Sequence, residues 1–161
     1  MSTEQDDFQA TYPINLLLKA MPCLVVGGGQ VAARKVQGLI AAGAKVTVLS
    51  PVLAEAMSPY IGDINYLPQA YGDFSGDLAG FWLVFAATSD EAVNKKITEE
   101  CNAIKVFCCA VDENWKKGGF ISPATIRKGG FTIGISTEGK DCVKSKEMKE
   151  KMMKLIDLAH T

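Results

Sequence analysis

Two groups of residues in this 161-residue chain have types and spacing that can do chemistry. The first lies in "CLVVGGGQVAARK", Cys23 to Lys35, where Gly27, Gly29 and Ala32 follow the order G-x-G-x-x-A. A first glycine allows the tight turn after a strand, a second lets backbone approach a pyrophosphate, and a small third residue lets helix and strand pack closely. A pyrophosphate would rest on the free N–H groups of a helix that begins near Gln30 and Val31. The second group is Asp112, the acid that ends the apolar run "IKVFCCAVD". A carboxylate there can act as a general base or hold a cationic group; a turn or helix-capping acid is the structural alternative.

A dinucleotide site normally adds an Asp or Glu about 20 residues beyond the glycines, on the adenine ribose. Here that stretch reads "VTVLSPVLAE", so Ser50 stands at the strand end, followed by Pro51 and Val52. The Ser50 hydroxyl and the backbone around Pro51 are the expected substitutes. No arginine is present to receive a 2′-phosphate, which favours NAD over NADP.

These residues need strands and helices to hold them. "CLVVG" reads as a buried strand, and "QVAARKVQGLIAAGA" changes to helical period, with Val31, Ala32, Val36, Leu39 and Ile40 on one stripe. Gly43 ends that helix and "KVTVLSP" is the next strand, stopped by proline. A strand–helix–strand unit of this length implies parallel pairing and a right-handed crossover. The pattern repeats with strands over Ile64–Pro68, Gly80–Thr88 and Ile104–Asp112, and with a helix capped by Ser89 or Asp90. In such a sheet ligands bind beyond the C-terminal strand ends, so Gly27–Gly29, Ala87, Thr88 and Asp112 should border one crevice. The expected fold is therefore α/β: a Rossmann-type parallel sheet over residues 12–115, after a mobile tail at 1–11.

Beyond residue 115 the character changes. "GGFISPATIRKGGFTIGIST" predicts a β-hairpin turning at "RKGG", and "DCVKSKEMKEKMMKLIDLAHT" predicts an amphipathic helix. Its apolar stripe is Val143, Met148, Met152, Leu155 and Ile156. Residues 116–161 thus read as an appendage that a second copy would cover, a dimerisation region giving a homodimer. Charge divides at the same place: residues 1–115 sum to −6 and residues 116–161 to +5. Such a basic third suits an anionic partner.

Several classes are excluded. No apolar run reaches the roughly 20 residues that span a bilayer, and the opening "MSTEQDDFQATYP" is not a signal peptide. A cytoplasmic protein is expected, with neither a membrane nor a nucleic acid as partner. Of the five cysteines, Cys23, Cys108 and Cys109 read as buried thiols, no C-x-x-C occurs, and the single histidine is His160, so no metal site is expected. None of Tyr12, Tyr60, Tyr66 or Tyr71 has a lysine four residues on, which excludes a common short-chain dehydrogenase.

The motifs together resemble one family. "YPINLLLKAMPCLVVGGGQVAARKVQGLIAAGAKVTVLSP", "AATSDEAVN", "VFCCAVD", "GFISPATIRKGGFTIGIST" and "GKDCVKSKEMKEKM" are similar, in order and spacing, to precorrin-2 dehydrogenase, which also occurs as the NAD-dependent N-terminal module of siroheme synthase. The resemblance implies NAD-dependent oxidation of precorrin-2 to sirohydrochlorin and dimerisation through exchanged strands. It also implies a carboxylate at the end of the fifth strand, matched by Asp112, and an NAD site lined by Gln30–Val31 and Pro51–Val52. The substrate implied is a polycarboxylate tetrapyrrole, for which Arg127, Lys128 and Lys140 are the expected cationic partners. Some members of the family also insert iron, so a bifunctional dehydrogenase and ferrochelatase is an alternative, as is a non-catalytic NAD-binding regulatory module. Two positions depart from the family pattern: Cys109 stands where an amide is common, and Asp141-Cys142 replaces Ser-Pro.

Overall fold

The computed structural model describes residues 10–159. The chain forms two compact units, one of Leu16–Phe120 and one of Ile121 onward together with the chain up to Asn15. Most of the tail expected at 1–11, and His160, lie outside the described residues.

The larger unit is a five-stranded parallel sheet in the order β3-β2-β1-β4-β5. Its elements are β1 (Pro22–Val26), α1 (Gln30–Ala41), β2 (Lys45–Leu49), β3 (Ile64–Leu67), β4 (Leu83–Ala86), α2 (Glu91–Ala103) and β5 (Phe107–Ala110). This is the Rossmann-type arrangement expected from the strand–helix alternation. Register is in step along the ladder: Val25 pairs with Val48 on one side and Phe85 on the other, and Phe85 pairs with Cys109.

The apolar runs are continuous because both faces of the sheet are covered. Cys23 and Val25 point to the α1 face, with Val36, Val46, Val48, Met57 and Phe85. Leu24 and Val26 point the other way, to Leu49, Val84, Ile97 and Cys101 under α2. Cys23, Cys101, Cys108 and Cys109 are buried thiols, while Cys142 is exposed. Burial pushes the Cys23 thiol up to about 11.

Helix ends follow local chemistry. Asp90 caps α2, its Oδ1 accepting from the N–H of Ala92 at 2.8 Å and of Val93 at 3.2 Å. Gly43, at φ +75°, turns the chain after α1.

Three expectations change. The first concerns α1, where Val31 leaves the apolar stripe and is 40 % exposed, while Ala33 is buried in its place. Ala32 and Ala33 of the same turn are covered by the sheet, whereas Val31 faces the open space beyond the strand ends. The second concerns strand length: only Leu83–Ala86 and Phe107–Ala110 form the ladder of β4 and β5. Leu78–Gly80 is a 3-10 turn, and Ile104–Lys105 closes α2, with Lys105 at φ +60°. Asp112 accordingly lies just beyond β5 rather than in it. The third concerns the C-terminal helix, whose expected stripe is half open.

The smaller unit contains the hairpin β6 (Ala124–Lys128) and β7 (Phe131–Ile135) and the helix α3 (Cys142–Ala159). The turn is Gly129-Gly130, both at positive φ, as the "RKGG" signal implies. Asp141 caps α3, accepting from Val143 N–H at 3.0 Å and Lys144 N–H at 2.9 Å, and those N–H groups hold its carboxyl below the usual range. On α3 Met152 and Ile156 are half-buried, whereas Val143, Met148 and Leu155 are exposed. No described helix is long and apolar enough to cross a membrane.

Asp90→Ala removes the acceptor for two N–H groups and should cost about 1 kcal/mol, read as a lower midpoint in urea unfolding with an unchanged slope.

Candidate functional site

The cleft begins where the parallel ladder stops. Its last rungs are Gly27 N–H to Leu49 O at 2.8 Å, Ala87 N–H to Val26 O at 2.8 Å and Val111 N–H to Ala86 O at 3.0 Å. Beyond them the chain from β1 turns up into α1 while those from β2 and β4 diverge. The space between is a cleft of about 600 Å³. Every cofactor-binding residue expected from the sequence lines it: Gly27, Gly29, Gln30, Val31, Ser50, Pro51, Val52, Ala87 and Thr88. Asp112 is not a lining residue, although its neighbour Val111 is.

The three glycines do different work. At Gly27 φ is +123°, and a Cβ there would stand 2.2 Å from Ala87 O. At Gly28 a Cβ would stand 2.1 Å from Val52 O and 2.7 Å from Ser50 Oγ. Gly28 therefore belongs with the motif glycines, a requirement that the spacing G-x-G-x-x-A does not express. At Gly29 a Cβ would meet no protein atom within 4 Å. Protein packing does not explain this last glycine; backbone open to the cleft does, since a ligand phosphate can come close only where side-chain bulk is missing.

Gly29 is also the N-cap of α1, with no side-chain cap and no acid in the first turn. The first bond of the helix is Ala33 N–H to Gly29 O at 3.0 Å, which leaves the N–H groups of Gln30, Val31 and Ala32 for an outside acceptor. Aligned peptide dipoles favour negative charge at that end. These residues fit a dinucleotide pyrophosphate.

Ser50 is placed differently from expectation. Its side chain is only 8 % exposed, and Oγ donates to Val52 O at 2.8 Å. The hydroxyl proton thus closes the loop after β2 instead of pointing to a ribose, leaving only lone pairs for a ligand. No Arg or Lys lines the cleft.

The ends of β4 and β5 are tied by a residue the sequence reading did not single out. Asn94, in the first turn of α2, is completely buried. It contacts Thr88 and donates to Asp112 Oδ2 at 2.7 Å. Asp112 Oδ1 accepts from the Asn114 N–H at 2.9 Å and its Nδ2 at 3.0 Å. Asp112 is therefore a capping acid for the 3-10 turn Glu113–Lys117, the structural alternative, and is one buried side chain away from the cleft wall. A carboxamide at the buried stripe of a helix, beside Ile97 and Cys101 and four positions after an N-cap, is the signal that would have exposed Asn94. Tyr71 also lines the cleft, and its phenol donates to Glu100; burial and that acceptor hold the phenol protonated.

Of the remaining expected residues, Arg127, Lys128 and Lys140 belong to the hairpin unit. Lys128 forms an ion pair with Asp157 there. A shallower depression of about 330 Å³ lies at the opposite end of β4 and β5, lined by Trp82, Ile104, Lys105 and Phe107 among others, away from the glycine turn and α1.

Comparison with known proteins bears on the family and the fold. Residues 14–124 match a family described as putative NAD(P)-binding. Siroheme synthases of Escherichia coli, from strains including O139:H28 (E24377A / ETEC) and K12 / DH10B, are 34 % identical over 147 residues. That alignment covers 91 % of this chain and 32 % of the relative, so the chain spans about a third of the length of these proteins. Among solved structures, SirC, a precorrin-2 dehydrogenase, superposes with a TM-score of 0.74 at 28 % identity, over 88 % of this chain and 69 % of that one.

Two glycine substitutions separate fold from ligand. Gly29→Ala should cost only about 0.5–1 kcal/mol of stability, the loss of a glycine N-cap, yet weaken NAD binding about tenfold or more, because the methyl group occupies the phosphate's space. Gly28→Ala should lower both, since Val52 and Ser50 must move. Calorimetric titration with NAD beside thermal unfolding reads the difference.

Proposed function

The chain belongs to the putative NAD(P)-binding family, and from that premise we propose that it is an NAD-dependent precorrin-2 dehydrogenase, oxidising precorrin-2 to sirohydrochlorin in siroheme biosynthesis. The observation that carries the reading is the cleft at the ends of β1, β2 and β4, with unclaimed N–H groups at the N-terminus of α1 and a carboxylate tied to its wall. The names borne by its relatives supply the substrate.

The oxidation removes two hydrogens from the macrocycle, one as hydride and one as proton. Bound in the cleft, the nicotinamide supplies the hydride acceptor. The chain's own residues do the rest. The N–H groups of Gln30, Val31 and Ala32 hold the pyrophosphate, and Gly29 allows it close. Backbone at Pro51 and Val52 meets the adenine ribose in place of the missing acid. Asp112 takes the proton, and the alignment of the two ring systems supplies much of the rate. Arg127, Lys128 and Lys140 bind the carboxylates of the tetrapyrrole through charge-assisted hydrogen bonds, Lys128 exchanging Asp157 for substrate.

The working form in this reading is a cytoplasmic homodimer, with no membrane or nucleic-acid partner. Phe131, at 73 % exposed, and Leu155, at 66 %, are apolar surface that a second copy would cover. Four buried thiols without a disulfide suit a reducing compartment.

Purified protein given precorrin-2 and NAD should form NADH and sirohydrochlorin together; NAD binding without turnover would remove the proposal. Asp112→Ala should lower kcat by about 100-fold or more while the Kd for NAD stays within about threefold. NADP should support turnover at least about tenfold less efficiently, since the cleft offers its 2′-phosphate no cation.

A further inference from the structure

Asn94 uses its whole hydrogen-bonding capacity. Its Oδ1 accepts from the Thr88 N–H at 3.1 Å and lies 2.8 Å from Thr88 Oγ1. Its Nδ2 donates to Thr88 O at 3.0 Å and to Asp112 Oδ2 at 2.7 Å. The orientation of the amide is unique, because a flip would set Nδ2 against an N–H donor and Oδ1 against two acceptors. Few other side chains can do this: aspartate has no donor when ionised, and threonine has a single one.

Part of this is ordinary strand-end chemistry. The ladder ends at Ala87, so the Thr88 N–H and carbonyl are left beside the buried face of α2, and the amide satisfies both. That task needs Oδ1 and one Nδ2 proton; the second proton goes to Asp112. Nor does capping require it. Asp112 caps its turn through Oδ1, with the N–H of Asn114. Oδ2 is engaged by Asn94 instead. A carboxylate held through one oxygen can rotate about its last torsion; held through both, its plane is set. The second point of attachment connects it to Thr88, which lines the dinucleotide cleft.

We propose that Asn94 is a positioning residue, which fixes the plane of the Asp112 carboxylate relative to the Thr88 wall of the cleft so that the proton acceptor and the bound nicotinamide keep a constant separation. This rests on the role given to Asp112 above. Thr88 transmits any shift of the cleft wall to Asp112 through one rigid amide.

The test is a double-mutant cycle in the full chain, with precorrin-2 and NAD as substrates. Asn94→Ala should lower kcat by at least about tenfold, with the Kd for NAD changed less than about threefold. In the Asp112→Ala background the same change should cost less than about twofold, because a residue acting through Asp112 has nothing left to position. Asn94→Asp serves as the second variant if the alanine protein does not fold. It keeps the acceptor for Thr88 but faces Asp112 with another acceptor, and should lose kcat equally. Multiplicative losses in the cycle, or wild-type kcat in a folded Asn94 variant, would overturn the proposal. A wild-type protein that binds NAD but turns over no precorrin-2 removes the assigned reaction and this role with it; a wild-type protein that turns over while the cycle is multiplicative removes only the role.

Discussion

The close approach of three backbones at Gly27 and Gly28 is the constraint on which the rest of the site depends. Beyond β1 the chain has no room for a side chain, with Ala87 O on one side and Val52 O on the other. That contact brings the ends of β4 and β2 up against the turn and starts α1 facing the gap between them. A methyl group at either position would push these walls apart by more than the tolerance of a hydrogen bond. The open N-terminus of α1 is thus a by-product of steric fit: the helix dipole and the unclaimed N–H groups point at the cleft because two glycines let the turn be that sharp.

A second constraint operates on polar groups. A parallel sheet buried on both faces leaves backbone groups at its C-terminal edge that water cannot reach easily, and each costs free energy if unpaired. Here the solution at Thr88 is a side-chain amide from α2, and the same amide reaches Asp112. Satisfying a strand end and orienting an acid are therefore one structural act. The geometry of the Asp112 carboxylate is thus set by the fold itself, through a buried side chain of α2.

The hairpin unit obeys a different logic. Its turn and helix cap are locally specified, by Gly129-Gly130 and by Asp141. Yet α3 keeps much of its apolar stripe exposed, with Val143, Met148 and Leu155 outward. Apolar area of this kind is stable in water only when covered, which is why a second copy enters the functional reading. The basic side chains of this unit include at least one, Lys128, already engaged by an acid.

What the sequence by itself determined was periodicity and local chemistry. The apolar strands, the helical stripe of Val36 and Leu39, a cap at Ser89 or Asp90 and the glycine turn follow from rules that act within a few residues. So did much of the cleft's lining, because strand ends in a parallel sheet must share one edge, but not the place of Asp112, which lies behind Asn94 instead of on the cleft. Interactions between segments far apart in the chain were not legible. Only the tertiary structure made Gly28 indispensable, through Val52 and Ser50, and turned the Ser50 hydroxyl away from the ligand. Only there did Asn94 meet Asp112, because α2 lays its first turn across the gap between two strand ends. The pattern of a chain records which side chains seek burial. Which polar atoms then meet depends on distances of a few tenths of an ångström, and these are decided when the segments pack.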